Sequence, residues 1–183
     1  MLGTIYLSLL EHAQDNFGFV TTADARSLNI DPTQLRIMAS RGQLEHRGRG
    51  IYRMPTVPSG ELDEYMEAVL WTGSAGVVTH DSALLLYGLS DVNPSKIHLT
   101  VDPSFRTRKK VPAVIDLHRE VLSEDCRHVH RGIPTVTPAT AIRQCAARGL
   151  GGELLRQAIA ESRARGLLST KAARGLERQL GQP

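Results

Sequence analysis

Apolar residues at Ile5, Leu7, Leu9, Leu10 and Ala13 recur near the helical period and predict an N-terminal helix that Gly18 closes. In the next segment, TTADARSLNI, Thr22 reads as an N-cap ahead of Ala23, Ala25, Arg26 and Leu28, with Asn29 at a tight turn. Asp31 followed by Pro32 is an N-cap with proline at the first helical position. The helix it starts, TQLRIMASR, stops at Gly42. Residues 44–46 and 51–53 then read as short strands around a Gly48-Arg49-Gly50 tip.

Helix, short helix, turn, helix and hairpin in that order predict a winged helix-turn-helix. On a helical wheel of residues 32–41, Leu35, Met38 and Ala39 share the side that packs on the first helix. Thr33, Ile37, Ser40 and Arg41 point the other way, flanked by Gln34 and Arg36. That polar face suits base edges in a major groove, and Ile37 suits a thymine methyl.

The stretch MPTVPSG, residues 54–60, separates this module from the rest of the chain. The expected domains are therefore residues 1–56 and 57–183. In the second, GELDEYMEAVLW and THDSALLLYGL read as helices, the latter ended by Gly88, and IHLTV and AVIDLHREV read as strands. Two or three helices complete it, over about 138–148, 152–165 and 170–180. The expected fold class is α+β, a winged helix-turn-helix followed by a mixed α/β domain.

Charge sharpens this picture. The net charge is only +3, but it is unevenly spread. Between Arg36 and Arg53 five arginines face one acid, Glu45, and three of them, Arg47, Arg49 and Arg53, lie in EHRGRGIYR. A hairpin tip needs glycine for positive φ, but it does not need arginine. The surplus predicts phosphate contact by a wing. The loop FRTRKK adds Arg106, Arg108, Lys109 and Lys110 between two strands as candidate secondary contacts. The blander alternatives are a small helical bundle with a solvated polar face, and a winged helix that docks a protein.

Composition excludes several classes. No run of about 18 apolar residues is present, so no membrane span is expected. The start MLGTIYLSLLEHAQ lacks a basic leader, so a cytoplasmic location is expected. Two cysteines make no disulfide framework and are expected to be reduced. Aromatic residues at 4% argue against a base-stacking platform for single strands.

Catalytic and metal chemistry finds weak footholds. Cys126, His128 and His130, with His118 nearby, offer ligand types for Zn²⁺, but the spacing is not that of a structural zinc site and no second Cys pair completes it. His80-Asp81-Ser82 are adjacent, and triads are recognised by spatial role rather than adjacency. Helix capping by Asp81 or Ser82 and packing by His80 are the expected roles. WTGSAG lacks the Lys-Ser/Thr ending of a phosphate-binding loop. No catalytic residue, metal or cofactor is assigned, and no enzyme activity is expected.

The layout resembles the AbiEi-type antitoxins of bacterial type IV toxin–antitoxin systems. The likeness rests on GQLEHRGRGIYRMP, on VVTHDSALLLYGLSDV followed by IHLTV, and on RGIPTVTPATAI ahead of a final helical region, and it spans nearly the whole chain. GIPTVTP also occurs in a related group that carries an endonuclease domain, but the acid–spacer–acid-x-Lys arrangement of such a nuclease is not found here. The resemblance implies an autorepressor that binds repeats in its own double-stranded promoter DNA, as a dimer or as cooperating monomers. It also implies a C-terminal antitoxin domain that counteracts a cognate nucleotidyltransferase-type toxin. The DNA-contacting residues would be Thr33, Gln34, Arg36, Ile37, Ser40, Arg41, Arg47, Arg49 and Arg53.

Overall fold

The computed structural model describes residues 2–180. The chain divides into two compact units between Ser74 and Ala75.

The first unit runs α1 (Leu2–Gln14), β1 (Phe19–Thr21), α2 (Thr22–Ser27), α3 (Pro32–Ser40), β2 (Glu45–Gly48), β3 (Ile51–Arg53) and α4 (Asp63–Trp71). The strands form an antiparallel sheet in the order β1-β3-β2, with Val20 and His46 both opposite Tyr52. This is the winged helix-turn-helix that the hydrophobic pattern predicts. Leu9 and Ala13 of α1, Leu35 and Met38 of α3, Val20 and Tyr52 of the sheet, and Met54 just after β3 close a single core. Burying such side chains is worth roughly 1.5–3 kcal/mol each.

Three residues are too few to show alternation, so β1 leaves no strand signature of its own. Its position is set by pairing with the hairpin. That pairing also moves the N-cap of α2 from Thr22 to Thr21, whose hydroxyl accepts from the Asp24 N–H while the Asp24 carboxylate accepts from the Thr21 N–H at 2.7 Å. Asn29 supplies the left-handed turn, and the Asp31 carboxylate accepts from the Thr33 N–H at 2.8 Å. The hydrogen bond from Thr33 holds the Asp31 carboxyl below the usual carboxylate range.

The helix α4, beyond MPTVPSG, belongs to this first unit. The sequence puts a boundary at residue 56 because proline, glycine and serine cluster there. Two ion pairs reach across that stretch, Arg53 to Asp63 at 3.1 Å and Arg47 to Glu67 at 2.9 Å, and both join the wing hairpin to α4.

The second unit runs β4 (Val77–Val78), α5 (His80–Tyr87), β5 (Ile97–Val101), β6 (Ile115–Arg119), β7 (Arg127–His130), β8 (Ile133–Val136), α6 (Pro138–Ala147), α7 (Gly152–Ala164) and α8 (Thr170–Leu180). Its mixed sheet has the order β6-β5-β4-β8-β7. The β5–β6 and β4–β8 pairs are parallel, while β4–β5 and β7–β8 are antiparallel. Leu84, Leu99, Ile133, Ile142 and Ile159 are fully buried and carry its core. Arg165 of the loop after α7 fastens the end of α5, donating to the carbonyls of Tyr87 at 3.1 Å and Gly88 at 2.9 Å. Among the described residues no helix is long and apolar enough to cross a membrane.

Candidate nucleic-acid interface

The proline-initiated helix α3 packs Leu35 and Met38 inward, both fully buried, and leaves Thr33, Arg36, Ser40 and Arg41 at the outer face. Gln34 and Ile37 flank them at the edges of the same face. Arg41 follows the last turn, where its backbone N–H caps the helix end. Ser40 is partly engaged already, because its hydroxyl donates to the Ile37 carbonyl at 2.8 Å. The six side chains named for base contact thus share one surface.

The wing tip is built by a register shift between His46 and Gly48 and by Gly50 at φ +76°. The Gly50 carbonyl accepts from the Thr22 N–H at 3.0 Å, which ties the tip to the start of α2. A Cβ at position 50 would lie 2.9 Å from Thr22 Oγ1. Gly50→Ala is therefore expected to destabilise the first unit by about 1–2 kcal/mol through the left-handed backbone alone. Urea unfolding checks this, and an unchanged midpoint would mean that the tip relaxes freely.

The three wing arginines fall into three different environments. Arg49 is exposed, and among the described residues it enters no ion pair. Arg47 is about half exposed, and its Nε and Nη2 both donate to Glu67 Oε2, at 3.2 and 2.9 Å. That carboxylate holds the Arg47 guanidinium above its ordinary pKa.

Arg53 corrects the sequence expectation. It is 6% exposed, and its guanidinium donates to the carbonyls of Val57 at 2.9 Å and Met54 at 3.4 Å and to Asp63 Oδ2 at 3.1 Å. A side chain so placed is a fastener for the segment behind the wing, not a phosphate contact. Glycine and arginine in a tip look alike in sequence whether the guanidinium points out or in. The signal that separates them is the burial of β3, on which Ile51, Tyr52 and Arg53 are all covered.

Beside the hairpin lies a cleft lined by Arg47 and Arg53 together with five carboxylates, among them Glu45, Asp63 and Glu67. Its excess of negative charge disfavours a phosphate there. The cations left available on the candidate surface are Arg36, Arg41 and Arg49.

In the second unit, the basic loop between β5 and β6 is partly folded on itself. Arg106 Nη1 donates to the carbonyls of Pro103 at 2.6 Å and Phe105 at 3.1 Å. Lys109 is half-buried, while Arg108 and Lys110 are exposed.

The other sequence candidates separate. Cys126 and Cys145 are free thiols. The Cys126 thiol accepts from Ser123 Oγ at 3.2 Å, which lowers its pKa, whereas burial pushes Cys145 up to about 12. His128 and His130 share one face of β7 against Tyr87, with ring centroids 6.4 and 4.3 Å away. Burial lowers the His130 pKa.

His118 does not join them. It lies on β6 beside His98 of β5 and His80 at the start of α5. The N-cap position of α5 is Thr79, without a side-chain cap bond, and Asp81 Oδ1 in the first turn both accepts from the Ser82 N–H at 3.1 Å and lies 3.2 Å from His98 Nε2. The three histidines are scattered along the sequence, and the parallel β5–β6 pairing brings two of their elements side by side.

Residues 8–55 match the family described as transcriptional regulator, AbiEi antitoxin. This match supports a role as an antitoxin and transcriptional regulator, and it runs from within α1 to just past the wing. A crystal structure of the RV2827C protein from Mycobacterium tuberculosis is similar in fold, with a TM-score of 0.59 and 19% identity over 98% of this chain and 78% of that one. No curated protein matches the chain.

Proposed function

We propose that this protein is an autorepressor and antitoxin whose first unit binds double-stranded promoter DNA. The observation that carries this reading is the outer face of α3, which presents Thr33, Gln34, Arg36, Ile37, Ser40 and Arg41 together, with the exposed Arg49 at the wing tip of the same unit. Recognition helix in the major groove and wing on the backbone is the docking geometry of this motif. Arg36 and Arg41 have the reach and the fork to pair with guanine edges, Gln34 suits adenine, and Ile37 suits a thymine methyl. Arg49 supplies backbone affinity without sequence information.

On the same reading, repeats in the promoter would be occupied by a dimer or by cooperating monomers. The second unit would counteract a nucleotidyltransferase-type toxin, with Arg106, Arg108, Lys109 and Lys110 as secondary basic contacts, of which Arg108 and Lys110 are the more exposed pair beside the half-buried Lys109. The protein would act without catalysis, in the cytoplasm.

Substitutions separate the two kinds of contact. Arg49→Ala is expected to weaken operator and random duplex about equally and to flatten the salt slope by about 1. Arg36→Ala is expected to cost about 1–3 kcal/mol on the operator and little on random DNA. Fluorescence anisotropy at two salt concentrations reads both. Equal losses on the two DNAs from Arg36→Ala would remove α3 as the reading element.

A further inference from the structure

The histidine cluster of the second unit is not used by DNA recognition. His80, His98 and His118 each bring one ring nitrogen within 4.8 Å of the others, and all three are buried or nearly so. His98 Nδ1 lies 2.9 Å from His118 Nε2, and Asp116 Oδ2 lies 3.5 and 3.8 Å from those same two nitrogens.

Tautomers decide what this arrangement favours. The Asp81 carboxylate only accepts, so the 3.2 Å contact assigns a proton to His98 Nε2. In a neutral ring that leaves a lone pair on His98 Nδ1, directed at His118 Nε2 and Asp116 Oδ2. His118 has one Nε2 proton at most, which cannot serve both His98 and Asp116 fully. The His98 Nδ1 lone pair and the Asp116 carboxylate therefore both face that Nε2 position, and His118 joins them as a donor once its proton moves to Nδ1. A cationic side chain, Arg148, touches Asp116 Oδ2 from 3.7 Å and is half exposed.

The third ring is prepared in the same sense. His80 Nδ1 is engaged with Thr79 Oγ1 at 2.9 Å, which is itself bonded to Thr100 Oγ1 at 3.0 Å, so Nε2 is left as the ligand atom. His80 is also held at φ +56°, a backbone conformation costly for a residue with a Cβ. Strain of that kind, kept at a buried residue, points to a constrained site.

We propose that His80, His98 and His118 bind one divalent transition metal of the zinc class, with Asp116 as the fourth donor and Asp81 orienting His98. Imidazole and carboxylate donors suit Zn²⁺ in four-coordinate geometry, and bonds of about 2.1 Å require ligand atoms about 3.4 Å apart. The observed separations need only side-chain adjustment to reach that. Asp81 to His98 to metal is the carboxylate–histidine arrangement that fixes ring orientation in metal sites.

Chelator-stripped protein titrated with Co²⁺ tests this. The expected result is a visible absorption band of four-coordinate nitrogen–oxygen ligation that saturates at one equivalent and is displaced by Zn²⁺. His118→Gln is expected to abolish it, His128→Gln to leave it intact, and Asp81→Asn to weaken binding about 10- to 100-fold. Circular dichroism checks that the variants fold. Should His118→Gln unfold, the wild-type ring ¹⁵N signals on Zn²⁺ addition decide, because three of the seven histidines must shift together at one equivalent. Absence of stoichiometric binding, or binding that survives in folded His118→Gln, overturns the proposal. Shifts at His128 and His130 in place of the three named rings also overturn it.

Discussion

Replacing Arg53 by alanine is expected to cost the first unit about 3 kcal/mol, the largest effect of any wing arginine. Both partners of the Arg53–Asp63 pair are shielded, with side-chain exposures of 8% and 17%, so water screens the attraction little. Removing the guanidinium leaves the Asp63 carboxylate and the Val57 carbonyl without this donor. An acceptor left unpaired costs more than the net worth of the bond it made. Arg53→Lys restores the charge but not the fork that serves two carbonyls and a carboxylate, so it should recover only part of the loss. Urea unfolding of the variants gives the values. A loss under about 1 kcal/mol would mean that the segment from Met54 to Asp63 repacks without its anchor. The folded Arg53→Lys variant should also keep the wild-type salt slope for DNA, because the side chain at this position is buried against Met54, Val57 and Asp63.

The second large effect is acid sensitivity of the second unit in the metal-free protein. His80 is 4% exposed, and burial, followed by the neighbouring His118, His98 and Arg148, pulls its pKa down from 6.5 to about 3. Well above pH 6.5 the ring is neutral whether the chain is folded or not, and it contributes no pH dependence. Between pH 6.5 and about 3 the unfolded chain takes up a proton that the folded chain refuses. Stability therefore falls as the pH is lowered through that window. From about pH 6.5 to about 4.5 the loss is on the order of 2–3 kcal/mol, before most carboxylates begin to titrate. His118, also lowered chiefly by burial, adds in the same direction. Denaturation midpoints at several pH values in that window measure it. A folded His80→Gln variant should show a shallower slope, and an unchanged slope would assign the acid sensitivity elsewhere.

Local chemistry made much of the first unit legible in the sequence. Asp31-Pro32 starts α3 as the pattern predicts, and the wheel of residues 32–41 separates the buried Leu35 and Met38 from the outer face correctly. Helices α5 to α8 and strand β5 likewise follow from periodicity and from Gly88. What escaped were elements defined by partners rather than by their own composition. The strands β1 and β4 have three and two residues, and the β7–β8 hairpin hides in a histidine-rich stretch without alternation. The fate of Arg53 escaped for the same reason, since its partner Asp63 lies ten residues on, past a stretch that reads as a linker. The histidine cluster is the extreme case. Its members lie on three separate elements, and the sheet registers Thr100 against His118 and His98 against Asp116.

Reading of DNA through α3 and anchoring on it through Arg49 are tested most directly by a mobility shift of the full chain. The probe is the DNA upstream of its own gene, at two salt concentrations and with scrambled duplex as competitor. The expected result is a shift that survives competitor, weakens steeply with salt and is largely lost in Arg49→Ala while that variant stays folded. A protein that shifts neither DNA, or shifts both alike irrespective of Arg36, would refute DNA reading by α3 and leave the winged helix as a protein-docking module.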